Sequence, residues 1–267
     1  MMINKTRTAM IISIAALLIV TAGCLSESED ADYEETLTQV STIDAVLNGD
    51  YDGMISYNDL EKYGDFGIGT FEGLDGEMVA LEGDFFQVRA DGIATEVNPD
   101  TTTPFAVLTY FEADQRTALE TGVNYQNVQA TIDNLIPTEN IFFAIKINGT
   151  FSYMKTRSVP KQTKPYPPLV EVTANQPIFE FTDIEGTLVG FRSPPYVTGI
   201  NMPGYHLHFI TSDRTAGGHV LEFEVANAEL LLDHTSEFFM LLPGEGSDFY
   251  KLDLSKDKEE ELEQAEK

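Results

Sequence analysis

Three of the four histidines in this 267-residue chain fall within fourteen residues, at His206, His208 and His219 in the stretch GYHLHFITSDRTAGGHVLEF. Alternate residues of a β-strand point to one face, so His206 and His208 can offer both imidazoles to a single point. A hairpin turning at Gly217-Gly218 can then return His219 opposite them. Three neutral imidazoles suit a divalent transition metal, and with no thiol among the donors the expected ion is zinc (Zn2+). Such a set leaves a coordination position open, which marks a catalytic rather than a structural site. Iron, nickel and cobalt accept the same donors. His234, in LLDHTSE, stands apart and reads as an ordinary surface or hydrogen-bonded histidine.

Positioning such a site calls for strands, and most of the chain reads that way. Residues 36–47 carry Leu37, Val40, Ile43, Val46 and Leu47 at three-to-four spacing, which predicts a helix. Gly64, Gly67, Gly69, Gly73, Gly76 and Gly83 then punctuate apolar pairs, as in short strands joined by tight turns. That run lacks the lysine and following helix of a phosphate-binding loop. Residues 98–104 read as a loop, 105–111 as a strand and 125–135 as a second helix. Asn148-Gly149, between apolar runs 141–147 and 150–154, predicts a β-hairpin with a type I′ turn. With Thr150 the same pair has the form of a glycosylation sequon, but the turn accounts for it better. Pro160, Pro165, Pro167 and Pro168 mark the expected boundary between a sheet subdomain at 36–160 and a metal-binding β subdomain at 161–267 that ends in an acidic tail.

The N-terminus reads as an export signal. Lys5 and Arg7 precede an apolar run from 10 to 20, too short for a comfortable membrane span, and Thr21-Ala22-Gly23-Cys24 follows. Small residues before a cysteine suggest a lipoprotein signal of 1–23, with Cys24 the lipidated first residue; Thr21 departs from the usual aliphatic there, which leaves ordinary secretory cleavage open. The folded part is therefore expected outside the cytoplasm. Cys24 is the sole cysteine, so no disulfide framework exists. Residues 24–35 form an acidic spacer, with six acids and no base in ESEDADYEE. The formal charge is -28, and removing 1–23 takes away two basic residues and no acid to leave -30. That balance argues against nucleic acid as a partner. A small anionic substrate would have to be held by local positive charge.

Beyond these readings, the chain resembles the α-acetolactate decarboxylase family. The resemblance is carried by GDFGIGTF (64–71) with LDGEM (74–78), by Lys164-Pro165-Tyr166, by GFR (190–192), by GYHLHFI (204–210) and by GGHV (217–220). It runs from about residue 40 to the C-terminus. It implies a zinc enzyme converting 2-acetolactate to acetoin and carbon dioxide, with His206, His208 and His219 as metal ligands. Glu77 and Arg157 match the family's active-site carboxylate and guanidinium, and Glu266 matches a further C-terminal glutamate, with Glu263 as the alternative. It also implies a homodimer and an α+β, strand-rich fold of two packed β subdomains. These would be a mixed sheet and a smaller barrel-like sheet with few helices, the metal site near their junction.

The residue types suit that chemistry in their own right. Acetolactate carries a hydroxyl and a ketone on adjacent carbons, and a metal with open positions can polarise both oxygens as carbon dioxide leaves, with no organic cofactor. Arg157 is permanently charged and suits orienting the departing carboxylate. Glu77 or a water is the easier proton donor, with Arg157 the alternative. Arg192 reads as structural, and Thr70 as a pocket residue. An exported metal-binding or ligand-binding lipoprotein of the same fold, without turnover, is the alternative function. A metal-assisted hydrolase fits less well, because no His-Glu-x-x-His motif accompanies the histidines.

Overall fold

The computed structural model describes residues 35–266. The segment read as an export signal, Cys24 and the residues read as a spacer up to Glu34 lie outside the described residues. The described chain opens with strand β1 (Thr36–Val40) and helix α1 (Ile43–Leu47), so the single helix expected over 36–47 is divided. The physical reason lies in burial on two faces. Leu37 and Val40, three apart in a strand, point to opposite sides of the sheet, and each is buried in a different apolar cluster. Their spacing imitates a helical stripe. Pairing of β1 with two other strands overrides that local pattern, and α1 begins only where the Thr42 hydroxyl accepts from the Ala45 N–H at 3.2 Å.

Short elements follow: β2 (Ile55–Ser56), α2 (Tyr57–Leu60), β3 (Phe66–Thr70), β4 (Glu77–Leu81), β5 (Asp84–Val88) and β6 (Ala94–Glu96). The β3–β6 run is antiparallel, as the glycine-dense segment predicts. Gly76 has φ +92° at the entry to β4, and a Cβ there would meet the Val88 carbonyl oxygen at 2.3 Å, so glycine is required one residue before Glu77. Next come β7 (Thr102–Thr103), which pairs with β2 inside the segment read as a loop, then β8 (Ala106–Thr109) and β9 (Gln115–Leu119). Helix α3 (Tyr125–Leu135) has its expected bounds, with Asn124 as its cap.

Strand β10 (Phe142–Arg157) corrects a second expectation. Asn148-Gly149 is not a turn; both residues lie inside one sixteen-residue strand, paired with Thr187 and Gly186 on one side and with Glu229 and Ala228 on the other. A Cβ on Gly149 would meet the Asn227 carbonyl oxygen at 2.2 Å. Glycine therefore serves close approach of the neighbouring strand, and the register shifts just beyond it absorb the local irregularity. After the proline-rich segment come α4 (Leu169–Thr173), β11 (Ile178–Ser193), β12 (Gly204–Thr211), β13 (Gly217–Thr235), β14 (Glu237–Leu241) and α5 (Glu259–Glu266).

Two main sheets result. The seven-stranded one runs β14-β1-β8-β3-β4-β5-β6, and the five-stranded one runs β10-β11-β12-β13-β9 with β10 also paired to β13, so four of its strands form a closed circuit of pairings. The sheets interleave along the chain: β9 and β10 of the second precede the proline-rich segment, and β14 of the first follows β13. They do not divide at residue 160. Phe66, Ile68 and Val79 of the first sheet share an apolar cluster with Phe142, Val189 and Ile210 of the second, which ties the two together. The fold is strand-rich, with few helices and the histidine triad near the meeting of the sheets.

Asp233, on β13, is 3% exposed and accepts a hydrogen bond from the Glu112 N–H at 3.3 Å. Burial pushes its carboxyl up to about 7, with the charges of Asp114, Glu35 and Glu112 adding to the effect. A raised folded-state pKa means stability that is full below the unfolded value near 4 and is lost as pH rises through about 7. Asp233→Asn should therefore stabilise the fold at pH 8 by about 1–2 kcal/mol and flatten the fall in Tm between pH 5 and 8. Thermal melts of both proteins across that range check it, and unchanged slopes would count against it.

Candidate metal centre and active site

Strand β12 presents His206 and His208 on one face, as their spacing predicts, and β13 sets His219 directly opposite His208 in the antiparallel register. The reversal itself runs through 212–216. Gly217 and Gly218 lie within β13, not in the turn, and are needed for close packing: a Cβ on Gly218 would meet the Arg157 carbonyl oxygen at 2.4 Å. That approach places the end of β10 beside the triad, with Arg157 in register with His219. On the other side of β12, Gly190 of β11 leaves no room for a side chain, since a Cβ would lie 2.0 Å from the His206 carbonyl oxygen. Gly190→Ala should push β12 away and cost about 2–3 kcal/mol, with a fall in metal affinity. Chemical denaturation and metal titration of the variant provide the readout.

The three rings lie 5.0–5.4 Å apart by centroid, and one nitrogen from each lies within 4.8 Å of the others. All three are buried. His208 Nδ1 lies 2.7 Å from the Met78 carbonyl oxygen, which can only accept, so Nδ1 carries the proton and Nε2 is left as a bare lone pair. His219 Nε2 likewise faces the Glu266 carbonyl oxygen at 3.1 Å, which frees Nδ1. His208 Nε2 and His219 Nδ1 have no hydrogen-bond partner despite complete burial. Burial pushes His206 down to about 3 and the other two well below their usual value, with the Arg157 charge lowering all three. The triad is thus neutral, backbone carbonyls set the tautomers of His208 and His219, and one nitrogen from each ring converges on a common point, which is how imidazoles are held for a metal.

Two carboxylates approach the same point. Glu77, at the start of β4, places Oε2 3.5 Å from His208 Nε2, and Glu266, on the last turn of α5, places Oε2 3.6 Å from both His206 Nε2 and His219 Nδ1. Arg157 joins them, donating from Nη1 to Glu77 at 2.5 Å and from Nη2 to Glu266 at 3.2 Å and to the Ala265 carbonyl oxygen at 3.3 Å. All three side chains are buried. Burial raises Glu77 to about 7 against the opposing effect of Arg157, with Glu266 adding to the rise; burial also raises Glu266. Glu263, the alternative to Glu266, is exposed on the outer side of α5.

Beside this cluster is a small chamber of about 40 Å³ lined by Glu77, Arg157, His206, His208, Glu266 and Thr70. The Thr70 hydroxyl donates to the Gly76 carbonyl oxygen, bracing the β3–β4 connection next to Glu77. Sequence reading did not anticipate the rest of the lining, which is hydrocarbon from Ile43, Val46, Leu74, Phe105, Val159 and Leu169. The apolar stripe of 43–47 was visible, but nothing local says that it faces a cavity. Arg192 lies elsewhere, donating to the Glu139 carbonyl oxygen and approaching Asp133 at 3.7 Å, so it fastens β11 to the end of α3. His234 contacts Gln115 at 3.2 Å, apart from the triad.

The family model described as alpha-acetolactate decarboxylase matches residues 37–256. The chain is 53% identical over 233 residues to the alpha-acetolactate decarboxylase of Methanosarcina mazei, covering 87% of this chain and 81% of that protein. It is 46% identical to that of Methylococcus capsulatus, covering 85% and 87%. The crystal structure of alpha-acetolactate decarboxylase from Bacillus subtilis strain 168 superposes with a TM-score of 0.84 at 38% identity, over 86% of this chain and 99% of that one. This chain, with its triad set against a chamber, therefore belongs to the alpha-acetolactate decarboxylase family and is an enzyme of the carbon–carbon carboxy-lyase class.

Proposed function

We propose that the protein decarboxylates 2-acetolactate to acetoin and carbon dioxide with zinc held by His206, His208 and His219. One observation carries this reading: three buried neutral imidazoles, two carboxylates and one guanidinium converge at the end of a largely apolar chamber. The two unpartnered imidazole nitrogens fit a divalent cation, as does the all-nitrogen triad flanked by acids. When bound, the metal would supply Lewis acidity to the hydroxyl and ketone oxygens of the substrate.

The chain's own groups do the remaining work. Arg157, locked between Glu77 and Glu266, keeps a fixed positive charge in a strongly acidic protein and orients the substrate carboxylate. Glu77 sits at the chamber wall with its pKa raised to about 7, so it can hold a proton and hand it to the carbon that loses carbon dioxide. The hydrocarbon lining limits water near that carbon. Thr70 braces the turn that aims Glu77.

Purified protein loaded with zinc is expected to release acetoin and carbon dioxide from 2-acetolactate, and chelation is expected to stop it. Zinc and acetolactate binding without acetoin would instead favour the alternative, a ligand-binding lipoprotein. Export with lipid attachment at Cys24 belongs to the same proposal, supported by the Lys5/Arg7, apolar and Cys24 pattern. So do a homodimer and a barrel-like reading of the closed circuit of β10, β11, β12 and β13, the latter supported by its pairings.

A further inference from the structure

The chamber has two chemically different walls. Glu77, Arg157, Glu266 and two histidines supply the polar one, while the short helices α1 and α4 supply much of the other through Ile43, Val46 and Leu169. Ile43 and Val46 are three residues apart and so share one face of α1. All three side chains are at most 4% exposed and belong to the apolar cluster that also holds Leu262 and Ala265 of α5. A substrate's oxygens find partners only on the polar wall. Its alkyl groups, which make no hydrogen bonds, are complemented only by the hydrocarbon.

We propose that Val46 and Leu169 form an alkyl subsite that limits the size of the group on the hydroxyl-bearing carbon, so that they decide between 2-acetolactate and its 2-ethyl homologue. This rests on the decarboxylase reading. The placement of these residues makes the selection separable from the chemistry. The metal-binding residues are fixed by the register of β12 and β13, whereas α1 and α4 lie outside both sheets, so a change of side-chain volume there leaves that register intact. Leu169 and Val46 also pack in the cluster that seats α5, which carries Glu266. Any loosening of α5 lowers turnover of both substrates together and cancels in their ratio.

The test uses the full-length zinc-loaded protein and measures kcat/KM for both acids by carbon dioxide release. One methylene in a hydrophobic pocket changes kcat/KM by roughly 10–200-fold. Val46→Ala and Leu169→Ala are expected to shift the ratio towards the ethyl homologue by about tenfold, and Val46→Ile to shift it the other way by a similar factor. Val46→Ile adds volume to a buried site without emptying it, and so serves if the alanine variants do not fold. Ratios within about twofold of the unmodified protein in Val46→Ala and Val46→Ile would overturn the subsite, given the sensitivity of such pockets. Absence of carbon dioxide release from either acid by the unmodified protein would instead overturn the decarboxylase reading, so the two failures are distinguishable.

Discussion

His208→Ala is expected to lower acetoin formation by roughly a thousandfold or more and to leave the protein with little bound metal. His208 is the least exposed of the three imidazoles, at 1%, and the Met78 carbonyl oxygen fixes its proton on Nδ1, so Nε2 offers a bare lone pair to a metal. Its removal leaves two imidazoles, too few to hold an ion at dilute concentration. Metal content by atomic emission and acetoin by end-point assay read the two effects on one sample. The Tm should also cease to rise with added zinc, since binding stabilises only the state that contains the site. Full activity in this variant would remove the triad from the mechanism altogether.

Arg157→Ala should be the most destabilising change in the site. The guanidinium is 3% exposed and pairs with two carboxylates that are themselves buried, and breaking such pairs costs about 3–5 kcal/mol because the remaining charge is left unpaired. Part of that loss falls on α5, which Arg157 also holds through the Ala265 carbonyl oxygen. Amide exchange over 259–266 should therefore accelerate more than exchange in β12. The deficit relative to the unmodified protein should shrink as pH falls towards 5. Without Arg157 the two glutamates favour their protonated forms more strongly, and an acid whose folded pKa is raised stabilises the fold at low pH and loses that contribution as pH rises. Activity should fall by about 10²–10³-fold, while Arg157→Lys should recover part of it, because a point charge can meet one carboxylate but not both. Equal stability of all three proteins in denaturant titrations would refute the pairing as a determinant of the fold.

The expectations that failed share one cause. Residues 36–40, within the apolar three-to-four spacing of 36–47, and the turn dipeptide Asn148-Gly149 carry sound local signals, yet both lie in strands paired on two sides. A central strand buried on both faces satisfies its backbone through distant partners, and that outweighs a preference worth a fraction of a kcal/mol per residue. Where tertiary pairing does not compete, local reading holds, as in α3 with its Asn124 cap.

The site divides in the same way. The spacing of His206 and His208 follows from strand geometry, and two alternate residues on a strand must share a face whatever surrounds them. Donor type, net charge and the absence of disulfides are likewise properties of the residues themselves. Distance along the chain, by contrast, says nothing about Glu266, separated from Arg157 by 109 residues and from Glu77 by more, or about which of the tail's acids turns inward. Leu262 and Ala265 decide that by burying one face of α5, which sends Glu266 into the chamber and Glu263 to solvent. Residue chemistry thus determined what the triad can bind, and only long-range packing decided which charges stand beside it, because burial of an apolar face is settled by surfaces the local sequence does not contain.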